Sequence, residues 1–275
     1  MNRVGSQPLR VHDLHLVVSG GWILARSYVP AIARGTVVWF HGGGWVLGGL
    51  ESHEALCRLL AHESECEVVA VEYRLAPEHP FPTPLEDCWQ ALCQIGRRTC
   101  RPLVVGGDSA GGNLAAVCAR RARDAGGPTL VAQVLVYPVT DHDFTTASYV
   151  EYDEGEAPLG RREMEWFWEH YVPQPTTRDD PDVSPLRADD LSGLPPAVMV
   201  LAAYDPLLDE GRAYADRLRR AGVSVDEWIY GDMIHGFFEL AGILSTGRDA
   251  VRHVARRLNV NVLMAAYGSA GSRAS

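Results

Sequence analysis

The segment Gly107-Asp108-Ser109-Ala110-Gly111 sets a serine between two glycines, after the apolar run LVV and before a stretch of helical period. This G-x-S-x-G spacing suits a sharp strand-to-helix turn that lifts the serine hydroxyl above a sheet. The residues two positions to either side must lack a Cβ for the turn to close. A helix starting at Ala110 aims its first N–H groups and its dipole at the charge formed when Ser109 attacks a carbonyl. A dinucleotide site is a poorer reading, because the spacing departs from G-x-G-x-x-G and no G-x-x-x-x-G-K-[ST] occurs.

A serine hydroxyl is a weak nucleophile at neutral pH and needs a general base, usually a histidine oriented by a carboxylate. Ten histidines are available. On a strand-turn-helix elbow of this kind the chain order is serine, acid, histidine, so the base is expected late and after a strand. His235 meets both conditions in GDMIHGF, a short loop beyond VSVDEWIY, with Gly236 leaving room for its ring. His253, among Arg252, Arg256 and Arg257, reads as a surface residue. For the acid, Asp205 directly follows AVMVLAAY in YDPLLDEG, where Pro206 fixes the turn; Asp209 is expected to brace that turn or cap the next helix. Asp141, after LVAQVLVYP, and Asp232, near His235, are the alternatives.

The elements that must hold these groups alternate. Two leading strands near Leu14–Val18 and Trp22–Val29 precede a strand at 36–40, a helix at 52–63, a strand at 67–73 and a helix at 84–96. LVVGG, a helix over 110–124, LVAQVLVYP, AVMVLAA, a helix over 210–221, VSVDEWIY and a last helix from about 248 complete the series. Apolar strands separated by helices predict an α/β fold with a mostly parallel sheet covered on both faces, whose ligands bind at the carboxyl ends of the strands. Residues 1–265 read as one domain, with a proline-rich insertion at about 141–195 as a cap and 266–275 as a disordered tail. The aromatic helix REMEWFWEHY (162–171) reads as a substrate-facing cover.

Composition limits the partners. The 275-residue chain is 47% hydrophobic and carries a formal charge of −10, which argues against nucleic acid and favours a neutral or cationic small molecule. The N-terminal region lacks a signal-peptide core and no segment spans a membrane, so a cytoplasmic location is expected. Six cysteines (57, 66, 88, 93, 100 and 118) contain no C-x-x-C and read as reduced thiols, with no zinc site.

HGGGW (41–45), YRLAPEHPFP (73–82), GGDSAGGNLA (106–115), YDPLLDEG (204–211) and MIHGFF (233–238) together resemble the hormone-sensitive-lipase-like branch of the α/β-hydrolases, which includes bacterial carboxylesterases. The resemblance covers about residues 36–255. It implies a serine carboxylic-ester hydrolase with Ser109 as nucleophile, His235 as base, Asp205 as orienting acid and no metal or organic cofactor. The oxyanion hole it implies is the N–H groups of Gly43, Gly44 and Ala110, with Gly42 shaping the turn and the His41 ring holding the glycine loop. Asp108 belongs to the elbow with its role open, and Arg74 and Glu78 are expected to pair. A deacetylase, amidase, acyltransferase or lyase shares the same groups. A non-catalytic receptor of this family typically lacks the histidine, which is present here. HGGGW begins at residue 41, so part of the usual cap is expected to be short, leaving the pocket open or completed by a second copy in a homodimer.

Overall fold

The computed structural model describes residues 9–152 and 158–271. Its strands are β1 (Arg10–Val18), β2 (Gly21–Val29), β3 (Gly35–Phe40), β4 (Cys66–Val71), β5 (Leu103–Asp108), β6 (Leu130–Val136), β7 (Ala197–Tyr204) and β8 (Val225–Ile234). They form one sheet in the order β1-β2-β4-β3-β5-β6-β7-β8, antiparallel at β1-β2-β4 and parallel from β4 to β8.

The period-2 alternation of β3 shows why the sheet is covered twice. Val37 and Trp39 enter one apolar layer and Val38 and Phe40 the other, so neither face tolerates water. Helices α1 (Leu50–Ser64) and α7 (Ser245–Gly271) close the first layer through Leu56, Leu60, Val251 and Leu258. Helices α2 (Thr83–Arg98), α3 (Ala110–Asp124) and α6 (Leu208–Arg220) close the second through Leu85, Leu92, Leu114, Val117 and Leu218.

Between β6 and β7 lie α4 (Ala147–Glu151), α5 (Arg161–Tyr171) and two 3-10 turns. The short α4 has no counterpart in the sequence reading, since five residues carry too little periodicity to register. Helix α5 joins the body through aromatic packing. Tyr171 stacks on Trp45 at 4.2 Å, and Trp168 meets the same indole edge-on at 5.2 Å; all three are fully buried. These two rings are therefore structural, whereas Phe167 is only partly buried and turns to the glycine loop. Trp166 packs on Phe167 but stays 44% exposed.

Four further expectations change. Strand β8 runs without a loop to Ile234, so His235 sits directly at a strand end. Helix α7 continues through Gly271, into the segment expected as a disordered tail from 266; the rest of that tail, 272–275, lies outside the described residues. His253 is buried at 7% exposure, with the Trp228 ring tilted against it at 3.7 Å and Asp226 at 3.4 Å, because it faces β8 rather than its arginine neighbours. Arg74 pairs with Asp87, not Glu78, which is exposed. Asp87 accepts the Arg74 backbone N–H at 3.1 Å, Nε–H at 2.8 Å and Nη2–H at 2.6 Å, a fork that Glu78 cannot match from solvent. The six cysteines are unbridged, with Cys57, Cys66, Cys88 and Cys118 buried. No helix among the described residues is long and apolar enough to cross a membrane.

The Arg74 fork yields a stability prediction. Asp87 has no exposed side-chain surface, so removing its partner strands a buried charge. Arg74→Ala is expected to lose about 3 kcal/mol in urea unfolding. A change below about 0.5 kcal/mol would show that Asp87 is satisfied without it.

Candidate active site

Parallel register brings the distant candidates together. In the β7/β8 pair Tyr204 stands opposite Ile234, so the next residues, Asp205 and His235, emerge side by side from the same edge. Asp205 is 1% exposed and its Oδ2 lies 2.7 Å from His235 Nδ1. Its Oδ1 accepts the Leu207 N–H at 2.9 Å, a turn closed over Pro206 that fixes the carboxylate plane. A carboxylate only accepts, so Nδ1 carries the proton, and Nε2 is free to accept from Ser109 Oγ at 3.0 Å. The positive φ of +85° explains Gly236 better than crowding, since nothing lies within 4 Å of a Cβ there.

Ser109 follows β5 at φ 54° and ψ −120°, a conformation rare for a residue with a side chain. Its N–H donates to Val136 O at 2.8 Å and its carbonyl receives the N–H groups of Asn113 and Val139, which pins the turn from three sides. A Cβ at Gly107 would enter the Gly111 carbonyl, and one at Gly111 the Phe40 carbonyl, as the turn requirement demands.

The glycine loop leaves β3 beside this elbow. Gly43 and Gly44 take φ of +110° and +59°, and a Cβ at Gly42 would overlap Asp108 Oδ2. Among the described residues no protein acceptor takes the N–H of Gly43, Gly44 or Ala110. A Cβ on Gly44 would enter the Phe167 ring, so α5 roofs this point of the loop. His41 is stacked on Tyr73 at 4.3 Å, and Tyr73 Oη donates to the His41 carbonyl at 2.7 Å. Burial, reinforced by nearby His53, pushes the His41 imidazole down to about 4, so a neutral ring closes off the loop.

Of the alternative acids, Asp141 is paired with Arg187 and Asp232 is exposed. Asp209 accepts the Ser148 N–H at 2.8 Å, bracing α4 rather than capping α6.

Three contributors carry no local sequence signal. Tyr137, after β6, lays its ring 4.4 Å from that of His235. His53, one turn into α1, places Nε2 3.1 Å from Asp108 Oδ2, while Trp39 Nε1 donates to Asp108 Oδ1 at 3.1 Å. Glu239 joins His53 and Asp108 with ligand-type atoms within 4.8 Å of one another. His53 and Asp108 spend these atoms on each other, which favours an ion pair over a metal site. Burial opposes both charges, but each partner outweighs it, raising the His53 imidazole and lowering the Asp108 carboxyl.

An aspartate-histidine-serine line at the carboxyl edge of a doubly covered parallel sheet, with a glycine loop against its elbow at Asp108, defines the α/β-hydrolase class. A family model described as the alpha/beta hydrolase fold matches residues 37–239, and the chain belongs to that family, in the hormone-sensitive-lipase-like branch. It is 43% identical over 255 residues to the carboxylic ester hydrolase LipN of Mycobacterium tuberculosis, covering 86% of this chain and 67% of that one. The carboxylesterase NlhH of the same organism is 42% identical over 247 residues, covering 83% and 75%. The solved structure of a hyperthermophilic esterase from the archaeon Pyrobaculum calidifontis matches with a TM-score of 0.89 at 42% identity, over 92% of this chain and 87% of that one.

Close to the acid loop, Glu210 is 2% exposed and its Oε1 accepts the Thr140 N–H at 2.6 Å, while Oε2 has no partner. Burial pushes this carboxyl well above its usual range, against the two backbone N–H groups of Thr140 and Asp141 that favour its charged form. A folded value above the unfolded one means that stability is lost as pH rises from the ordinary carboxylate range toward the folded value. Glu210→Gln removes that loss. Its melting temperature relative to wild type is expected to rise as pH climbs above the ordinary carboxylate range. A difference that stays constant with pH would show that Glu210 is charged when folded.

Proposed function

We propose that the protein hydrolyses carboxylic esters, with Ser109 as nucleophile, His235 as general base and Asp205 as the carboxylate that orients the base. The observation that carries this reading is the unbroken contact line at 2.7 and 3.0 Å from Asp205 through His235 to Ser109. As Ser109 Oγ attacks the carbonyl carbon, its proton passes to His235 Nε2, and the imidazolium faces Asp205. The carbonyl oxygen becomes an oxyanion within reach of the N–H groups of Gly43, Gly44 and Ala110, where the first turn of α3 adds its dipole. The imidazolium then gives its proton to the departing alkoxide, leaving an acyl-serine. Water, deprotonated by His235, attacks the acyl carbon, and the carboxylic acid leaves as Ser109 recovers its proton.

Gly42 and His41 shape and seal the glycine loop in this scheme. Asp108 buttresses it from the elbow, and no metal or organic cofactor enters any step. The insertion at 141–195 acts as the cap, and Phe167 over Gly44 restricts the acyl side, which favours short chains. The formal charge of −10 supports an uncharged small-molecule ester over a polyanion or anionic membrane surface. Unbridged cysteines, one of them exposed, fit a cytoplasmic location.

Ser109→Ala is expected to lower the rate on p-nitrophenyl acetate by about 10⁴-fold or more and to abolish labelling by a fluorophosphonate probe. Retained turnover would refute the nucleophile assignment. Phe167→Ala is expected to shift the optimum on a series of p-nitrophenyl esters toward longer acyl chains, raising kcat/KM for octanoate relative to acetate by about tenfold. An unchanged ratio would remove Phe167 from the acyl wall.

A further inference from the structure

The N–H groups assigned to the oxyanion belong to two separate pieces of backbone. Gly43 and Gly44 leave β3, whereas Ala110 follows the elbow after β5. Their usefulness depends on mutual placement within a few tenths of an ångström, since a misplacement of about 1 Å costs about 100-fold in rate. The two pieces meet at Phe40 and Gly111 through backbone, and beyond that point through side chains. Asp108 precedes Ser109, and its Oδ2 lies where a Cβ of Gly42 would stand, so the carboxylate touches the loop backbone itself. The same oxygen receives His53 Nε2 at 3.1 Å, and both side chains are buried.

From His53 the chain of contacts returns to the far end of the loop. His53 Nδ1 lies 2.8 Å from Ser52 Oγ, which donates to the Gly49 carbonyl at 3.0 Å and accepts the Gly49 N–H at 3.1 Å. The Gly42 N–H faces His53 Nε2 at 3.4 Å, too long to compete with the carboxylate. One imidazole thus bridges the elbow at Asp108 to Gly49, where the loop enters α1. Trp39 holds the other carboxylate oxygen, and Glu239 supplies the remaining acidic group against the pair.

We infer that His53 is a positioning residue, which through Asp108 and Ser52 locks the glycine loop to the nucleophile elbow and so sets the spacing of the N–H groups that receive the oxyanion. The inference rests on the ester-hydrolase reading above and adds a residue that touches neither substrate nor Ser109. It acts on the transition state and not on ground-state binding, because the oxyanion forms only after attack.

The test compares His53→Leu, which fills the space without polar atoms, with His53→Gln, whose amide N–H can reach Asp108. Rates on p-nitrophenyl acetate are divided by the number of sites that a fluorophosphonate labels at saturation, which removes any misfolded fraction. His53→Leu is expected to lower kcat per labelled site by about 10- to 100-fold with KM changed less than about twofold. The inhibition constant of an alkyl boronic acid, which mimics the tetrahedral intermediate, should weaken in proportion. His53→Gln should recover most of the loss. Should His53→Leu fail to fold, His53→Asn, too short to span the gap, takes its place with the same expected loss. Full kcat per labelled site in the Leu or Asn variant would overturn the inference, as would a loss confined to KM or to the number of labelled sites. Ser109→Ala separates the two readings: if it is inactive while the His53 variants keep full kcat, the positioning role alone fails.

Discussion

The approach of two backbones governs this site. The elbow after β5 passes so close to the end of β3 that a Cβ at Gly111 would enter the Phe40 carbonyl, and one at Gly107 would enter the Gly111 carbonyl. That contact sets the glycine loop and Ser109 at one height above the sheet. It also forces Ser109 into φ 54°, a strained conformation that costs roughly 1–3 kcal/mol and survives only where neighbours over-determine it. The hydrogen bonds to Val136, Asn113 and Val139 do so. Two layers of apolar packing hold the strands from which both segments emerge, so the strain at one serine rests on the burial of the whole sheet.

Charge is handled with equal economy. Asp87, Asp108, Asp205 and Glu210 are almost wholly buried, and each has a different remedy. Asp87 receives a three-point fork from Arg74, Asp108 shares His53 and Trp39, Asp205 is held by Leu207 and His235, and Glu210 accepts the Thr140 N–H while burial raises its carboxyl. All 25 basic side chains are arginines, since the chain contains no lysine. Planar guanidinium groups make two-point contacts that an ammonium cannot. Arg121, bonded to Glu86 at 2.7 Å and to Asp182 at 2.6 Å, ties α2 and α3 to the segment between β6 and β7.

Ser109, Asp205 and His235 were legible because each is announced locally, by a β-branched strand and a turn-forming glycine or proline beside it. Parallel strands then place their carboxyl ends in a row, so topology does the rest. His53 was not legible, since its meaning depends on a contact with Asp108 across the fold, and a histidine one turn into a helix resembles any other. The same holds for Arg74, whose partner Asp87 sits in the next helix, while the family resemblance pointed to the nearer Glu78. His253 looked exposed because its neighbours are arginines, yet a helix turns each side chain by 100°, and this one faces Trp228. Aromatic α5 divided in the same way: its periodicity identified a helix, but only packing on Trp45 decided that Trp168 and Tyr171 are structural.

Because Tyr204 and Ile234 are opposed in register, the acid and base are fixed to each other by sheet hydrogen bonds and need no loop to meet. The serine lies two strands away from the acid, across β6, and reaches the base only because the elbow rises above the sheet. Tyr137 fills the intervening gap, at φ 31°, with its N–H donating to Val200 O at 2.6 Å and its ring against His235. The imidazole is thus positioned by a carboxylate along one edge and an aromatic ring on another side, which leaves Nε2 only the direction of Ser109. A histidine so confined can transfer a proton without searching for its partner. The roof comes from another layer: the Phe167 ring of α5 lies where a Cβ of Gly44 would stand. The Asp205-His235-Ser109 line therefore rests on the sheet edge, whereas the ring over Gly44 comes from α5.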